Sequence, residues 1–378
     1  MVRVLVVGAG LAGLACALEA TTLGHHVVVL ERSSRIGGRG TTQNLDEFPI
    51  GYGPHLFLKK GPFHDLVRKL SRVKLAASPL RLDRTELLGQ GMIRPSEDIK
   101  ISASNKRILR DGNIEHPLIE GCHFLSSWGG PINELRYNGL QKNQLMVSNE
   151  GWMGMVGRLA AALDEVGVFI ECGPEVQRIE PGKVFLVDGR EIETDVIVLA
   201  CGPAGSKKLI RTMDEQRSKE LFSPLERISA SFVEVGLDSK SLSGKHAVID
   251  TQNHHIVLDY RAIQPRLGLE GSHLSALAIG GLESDPGETR YASADARLES
   301  LKSFLNKRAN GWQDHVIQHS EQSKITLHDA CSDRIEQQAM ADVGVLFAGA
   351  WVEGEHILAD GAVLSGRLAG RNISAAKR

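Results

Sequence analysis

Val2-Arg3-Val4-Leu5-Val6-Val7-Gly8-Ala9-Gly10-Leu11-Ala12-Gly13-Leu14 opens the stretch of residues 2–39 that decides the fold. An apolar run ends at Gly8, and Gly8, Gly10 and Gly13 form G-x-G-x-x-G directly behind it. In that pattern the first glycine permits a tight turn. The second lets a pyrophosphate approach the backbone, and the third lets a helix pack against the strand. The helix start then offers free N–H groups and partial positive charge to the phosphates. Leu11, Leu14, Ala15 and Leu18 recur at helical spacing, and Gly24 is a stop signal. Val27-Val28-Val29-Leu30 reads as a buried parallel strand, closed by Glu31, where an acid accepts hydrogen bonds from a ribose. A secretory signal is the competing reading of residues 2–18. It leaves the glycines and Glu31 unexplained and has only Arg3 as a positive flank.

After Glu31 comes Arg32-Ser33-Ser34-Arg35-Ile36-Gly37-Gly38-Arg39. A nicotinamide site has no physical need for a second glycine pair with a flanking arginine. A longer cofactor does: the glycines let the loop lie against it, and Arg39 can charge-pair with pyrophosphate oxygens. The candidate cofactor contacts of this unit are Gly8, Gly10, Leu11, Ala12 and Gly13, then Glu31, Arg32, Gly38 and Arg39.

Here the chain resembles the flavoprotein superfamily of amine oxidases, protoporphyrinogen oxidases and phytoene desaturases, nearest to the phytoene-desaturase-like branch. The resemblance rests on Glu31 followed by Arg35-Ile36-Gly37-Gly38-Arg39, and on three further segments. Phe48-Pro49-Ile50-Gly51-Tyr52-Gly53-Pro54-His55-Leu56-Phe57 is similar to the family's loop beside the isoalloxazine, with Pro54 and His55 implied as contacts. Asp195–Gly202 is similar to its Ala-Thr-Gly strand end, with Cys201 in the threonine place and Gly202 as a contact. Val345–Trp351 and Asp360–Gly366 are similar to its last strand and flavin-facing helix, which implies Gly349, Ala350, Gly361 and Ala362. The resemblance also places the Val176 backbone at the adenine end. It implies FAD as cofactor, with the helix start stabilising negative charge on the reduced ring. One departure matters: Ala350 stands where the family carries an aspartate bonded to the ribityl chain, a contact left to Glu353 or to water.

The 378 residues fit two connected domains. The expected fold is α/β: a discontinuous Rossmann-like FAD-binding domain (1–75, 150–215, 335–378) with an inserted α+β substrate domain (76–149, 216–334) carrying an antiparallel sheet. Ser231–Val235, His255–Tyr260 and Leu274–Ile279 are its strand candidates, and Leu298, Leu301, Phe304 and Leu305 mark an amphipathic helix. Residues 76–149 show no clean period. The formal charge of −2 gives no basic field for nucleic acid, and no apolar run is long enough to span a bilayer. Five scattered cysteines (Cys16, Cys122, Cys172, Cys201, Cys331) favour a reducing cytoplasm over a disulfide framework or a zinc site.

His55 is a weak candidate for proton transfer beside the flavin, against a structural histidine at a strand start. The pairs His25-His26 and His254-His255 lack partners at metal-ligand spacing, so no metal is expected. Trp351 reads as a core side chain or a pocket wall. The basic residues Lys59, Lys60, Arg68, Lys69, Arg72 and Lys74 read as a solvated helix, with weak peripheral contact to anionic lipid as the alternative.

The expected activity is FAD-dependent hydride transfer between flavin N5 and a small apolar, isoprenoid- or polyene-like substrate. A flavin amine oxidase is the rival in the same class. A non-catalytic flavin- or nucleotide-binding protein is the rival in another.

Overall fold

The computed structural model describes residues 1–41, 51–93, 117–267, 270–282, 290–330 and 333–376. Phe48, Pro49, Ile50 and Cys331 lie outside the described residues.

The run 2–39 folds as its pattern demands. Arg3–Val7 is a strand, Leu11–Thr22 a helix and His26–Glu31 a second strand, parallel to the first. Five parallel strands form one sheet in the order Val345–Phe347, Val196–Leu199, Arg3–Val7, His26–Glu31, Phe169–Cys172. These strands are near-continuous in Val, Ile and Leu because the sheet is covered on both faces. On one face lie the helices Leu11–Thr22, Gly151–Glu165 and Leu358–Ala376. On the other lie the helix Gly202–Met213 and a small antiparallel sheet of Val176–Glu180, Lys183–Leu186 and Glu191–Glu193.

The helix Leu358–Ala376 crosses Leu11–Thr22 at close range. A Cβ on Gly366 would stand 2.1 Å from the Ala12 carbonyl oxygen, so only glycine permits the approach. Arg367 and Arg371 donate to the Glu19 carboxylate at 2.8 and 2.7 Å across the same contact. The amino-terminal unit and the 345–376 strand–helix are thereby locked face to face, and the glycine turn sits beside the segment 349–362.

A second, seven-stranded sheet runs Val316–His328, Ile228–Leu237, Ser272–Leu282, His255–Asp259, Ala247–Asp250, Thr85–Leu87, Gly91–Met92. It is antiparallel except where Ala247–Asp250 pairs with Thr85–Leu87. The three strand candidates fall in it. Alternate residues serve two cores: Phe232 and Leu277 face Leu56, Trp128 and Tyr137, while Val233 and Ala276 face the helix Ala294–Arg308. Residues 76–149 contribute short strands at Ala77–Pro79 and Leu145–Ser148 and helices at Pro117–Ser127 and Glu134–Gln141.

The basic segment departs from expectation. Its helix spans only Pro62–Val67, so Lys69, Arg72 and Lys74 lie beyond it. The Ser71 hydroxyl accepts from the Val73 amide at 3.1 Å, a local bond that competes with continuing the helix. No described helix is long and apolar enough to cross a membrane.

Candidate cofactor groove and its reaction end

The glycine turn is built by close contact. Gly8 has φ 108°, and its N–H donates to the Leu30 carbonyl at 2.7 Å. A Cβ on Gly13 would meet the Gly8 carbonyl oxygen at 1.9 Å, so Gly13 sets how near the helix lies to the turn. Gly10 differs: the nearest atom to an added Cβ is the Gly38 Cα at 4.0 Å, and the space beyond opens into a groove. Glu31 holds the turn from the second strand. One carboxylate oxygen accepts from the Ala9 amide at 2.8 Å, and the other accepts from the Ser33 amide and hydroxyl at 2.9 Å. The Gly37 amide donates to the Ala9 carbonyl at 2.8 Å, which lays the Gly37-Gly38-Arg39 loop alongside the turn.

The groove has a volume of about 1050 Å³. One end is walled by Glu31, Arg32, Val176 and Gly202, the middle by Gly10, Ala12, Gly349, Ala350 and Ala362. The far end is walled by Pro54, His55, Trp152, Trp128, Leu277 and Ile325. Gly8, Leu11, Gly38 and Arg39 also line it. Of the residues singled out from sequence, only Gly13 and Gly361 stand behind the wall. Gly361 packs against the His356 carbonyl, where an added Cβ would come within 2.7 Å.

Arg39, in the groove wall, already has a partner, and Glu353 stands outside that wall. The Arg39 guanidinium reaches Asp329 at 2.5 Å rather than standing free. Glu353 is exposed and does not line the groove, so it does not replace the acid absent at Ala350. Trp351 is 1% exposed and packs on Phe347 and Phe222, a core side chain that closes the groove floor. Burial pushes the Cys201 thiol up from its ordinary value. His254 sits in a loop and His255 in a buried strand, where its Nε2 lies 2.9 Å from the Tyr291 hydroxyl. His25 and His26 flank the start of the second strand.

His55 is one of the titratable groups lining the groove near its far end, with Tyr52, Lys324 and His328 also in the groove wall. Its Nδ1 lies 2.6 Å from the Gly53 carbonyl oxygen. A carbonyl only accepts, so Nδ1 carries the hydrogen and the neutral ring keeps its lone pair on Nε2. The ring centroid is 4.8 Å from that of Trp152. Burial holds the ring below the ordinary histidine value, against the pull of the Glu234 charge and of the Gly53 and Arg39 carbonyls.

Sequence reasoning missed the polar cluster behind His55. Glu234 is 1% exposed in the strand Ile228–Leu237 and bonds to His273, Ser275 and the backbone of Gly51 and Gly53. The signal was a lone acid within Ser231-Phe232-Val233-Glu234-Val235, an otherwise apolar central strand. It also missed Arg136 and Asp360, two buried charges beneath the start of the helix Leu358–Ala376.

Residues 6–70 match the NAD(P)-binding Rossmann-like domain family. A protein of Mycobacterium tuberculosis named as a flavin-containing monoamine oxidase, AofH, is 44% identical over 70 residues. That match spans 18% of this chain and 15% of the relative. An oxidoreductase structure from Methanosarcina mazei superposes with a TM-score of 0.74 at 17% identity, covering 97% of this chain and 99% of that one. Cyclohexylamine oxidase from Brevibacterium oxydans superposes with a TM-score of 0.67 at 17% identity, covering 99% of each chain. The whole-chain likenesses establish the fold, which this chain shares with the two oxidoreductase structures.

Proposed function

We propose that this chain is a FAD-dependent oxidoreductase that moves a hydride between the flavin and a small apolar substrate. The observation that carries this reading is the continuity of one groove from Glu31 at the first crossover to His55 at the second sheet. Its volume of about 1050 Å³ suits a ligand longer than a mononucleotide. The residues fit the cofactor. Gly10 leaves the turn open, Glu31 stands where a ribose is held, and the first turn of Leu358–Ala376 points partial positive charge into the middle of the groove. The matched family is described by NAD(P), but the Gly37-Gly38-Arg39 loop packed on the turn favours the longer dinucleotide.

When bound, FAD supplies a two-electron acceptor. The remaining work falls to the protein. Trp128, Leu277, Ile325 and Leu327 give the far end an apolar wall that seats the substrate and excludes water. A desaturation that loses a hydride from one carbon loses a proton from its neighbour, and the resulting lone pair becomes the new C=C bond. We assign that proton to His55 Nε2, the ring nitrogen that the Gly53 carbonyl does not engage. Arg39, paired here with Asp329, would hold the pyrophosphate.

Amine oxidation is the second reading, favoured by the matched monoamine oxidase segment and by the cyclohexylamine oxidase fold. The visible spectrum of the protein reconstituted with FAD, then mixed without oxygen with a polyene or with a polyamine, tests both. Bleaching of the flavin by polyene alone is the expected result, and bleaching by amine alone overturns the apolar assignment. A protein that takes up no FAD overturns both and leaves a non-catalytic scaffold.

A further inference from the structure

Between His55 and the second sheet lies a small enclosed chamber of about 30 Å³, bordered by Gly51, Glu234, Tyr260 and His273. It is large enough for a water molecule; Phe57, Val147 and Leu267 give it a largely apolar wall, and Glu234, Tyr260 and His273 form its polar side. Glu234 dominates it. One carboxylate oxygen accepts from the Gly51 amide at 2.9 Å and faces His273 Nε2 at 2.9 Å. The other accepts from the Gly53 amide at 3.2 Å and from the Ser275 hydroxyl at 3.1 Å. The amide of His55 itself is held by the Tyr260 hydroxyl at 2.5 Å. Every second amide of the 51–55 segment therefore ends on a side chain of the second sheet or of the turn that follows one of its strands.

A carboxylate buried to 1% exposure is costly unless it is fully bonded. Two of its four donors are amides of a segment whose side chains Tyr52, Pro54 and His55 line the groove. An apolar residue at 234 would pack as well but could not hold that segment. A Cβ placed on Gly51 would lie 3.9 Å from both Glu234 oxygens and 3.9 Å from Cε1 of His55, so ring and carboxylate both border Gly51. We propose that Glu234 is a positioning residue: it suspends the 51–55 segment from the second sheet and supplies the counter-charge for a proton arriving on His55. This rests on the reading of His55 as the proton acceptor. The charged and titratable groups facing the ring are Glu234, Tyr260 and His273 from the second sheet and its turn, and Arg39 from the cofactor loop.

The test is a pH titration of His55 by ¹⁵N-histidine NMR, assigned with His55→Gln, in the wild type, Glu234→Gln and Ser275→Ala. Flavin loading is read on the same samples by absorbance. Removing the carboxylate charge should lower the proton affinity of His55 about tenfold or more. Ser275→Ala removes one donor but keeps the charge, so the carboxylate's field on the ring rises and the His55 proton affinity should increase about threefold. A role in packing alone would not move the two variants in opposite directions. No shift in Glu234→Gln, or shifts of the same sign in both, overturns the proposal. If Glu234→Gln does not fold, the direction in Ser275→Ala decides. The titration is read whether or not flavin binds. A wild type that takes up no flavin therefore counts against the enzymatic reading, and an unmoved His55 in a flavin-loaded variant counts against Glu234.

Discussion

Arg136 Nη1 and Asp360 Oδ2 face each other at 3.8 Å, both side chains 1% exposed, and neither atom has a hydrogen-bond partner among the described residues. The rest of each group is bonded. Arg136 Nε donates to the Ser126 carbonyl at 2.8 Å, and Asp360 Oδ1 accepts from the Phe63 amide at 3.1 Å. Burial pushes the Asp360 carboxyl up from its ordinary value while the Arg136 charge pulls it down. The pair ties the helix Glu134–Gln141 to the first turn of Leu358–Ala376, one residue from the groove wall at Ala359.

Breaking this pair from one side should be expensive. Asp360→Asn keeps the shape and the Phe63 bond but leaves Arg136 buried without a counter-charge. A loss of about 3–5 kcal/mol is expected. Arg136→Met combined with Asp360→Asn removes both charges and should recover most of that loss. Urea unfolding of the two single variants and the double variant gives the coupling energy. Simple additivity would show that the two charges do not interact.

Two of the turn glycines, Gly13 and Gly10, should separate by phenotype. Gly13→Ala forces a Cβ to 1.9 Å from a backbone carbonyl, so the helix must shift away from its strand. It should cost about 1–3 kcal/mol of stability. Gly10→Ala meets nothing nearer than 4.0 Å and should melt like the wild type. Its methyl group projects into the groove, so its deficit should show only in FAD retention. Thermal unfolding beside flavin absorbance makes the comparison, and equal melting losses would contradict the division of roles.

Ala350→Asp should raise flavin occupancy. Ala350 lines the middle of the groove, and Glu353 points to solvent. A restored carboxylate gains a charged hydrogen bond to a ribityl hydroxyl, worth roughly 1.5–3 kcal/mol, so the FAD dissociation constant should fall about tenfold or more. The ratio of flavin to protein absorbance after gel filtration reads it. No gain in the variant would mean that the ribityl chain does not pass Ala350.

What could be read from the chain was local. Residues 2–39 carry their own period, turn and stop, and Ser231–Val235 and Leu274–Ile279 alternate between two faces, so sheets and helices were visible before any packing. The part of the groove built by Gly8, Gly10, Gly37 and Gly38 followed from the same local pattern. Side-chain pairing between distant residues was not visible. Arg39 with Asp329, Glu234 with Gly51 and Gly53, and Arg136 with Asp360 have no periodicity that links them. The helix after Gly61 failed for a local reason that composition hides: its basic residues continue past Val67, but the Ser71 hydroxyl offers the backbone another partner.

Acid should destabilise the fold well above the carboxylate range. His328, 5% exposed, is held at about 4, first by burial and then by the Arg39 and Arg136 charges, against the Ser127 carbonyl. Its Nε2 lies 2.8 Å from that carbonyl. His255, 3% exposed, is held at about 4 mainly by burial. An unfolded histidine titrates near 6.5. Between pH 6.5 and 4 the unfolded chain therefore binds protons that the folded chain refuses, and stability falls as pH falls. Above 6.5 neither state is protonated and the effect vanishes. For His328 alone the drop across that window should approach about 3 kcal/mol. Urea midpoints at pH 7 and pH 4.5 measure it. His328→Gln keeps an amide donor for the Ser127 carbonyl, so it should lower stability modestly at pH 7 and flatten the fall toward pH 4.5. A slope unchanged in that variant would show that His328 takes up its proton without opening the fold, and that the acid sensitivity resides in His255 and its neighbours.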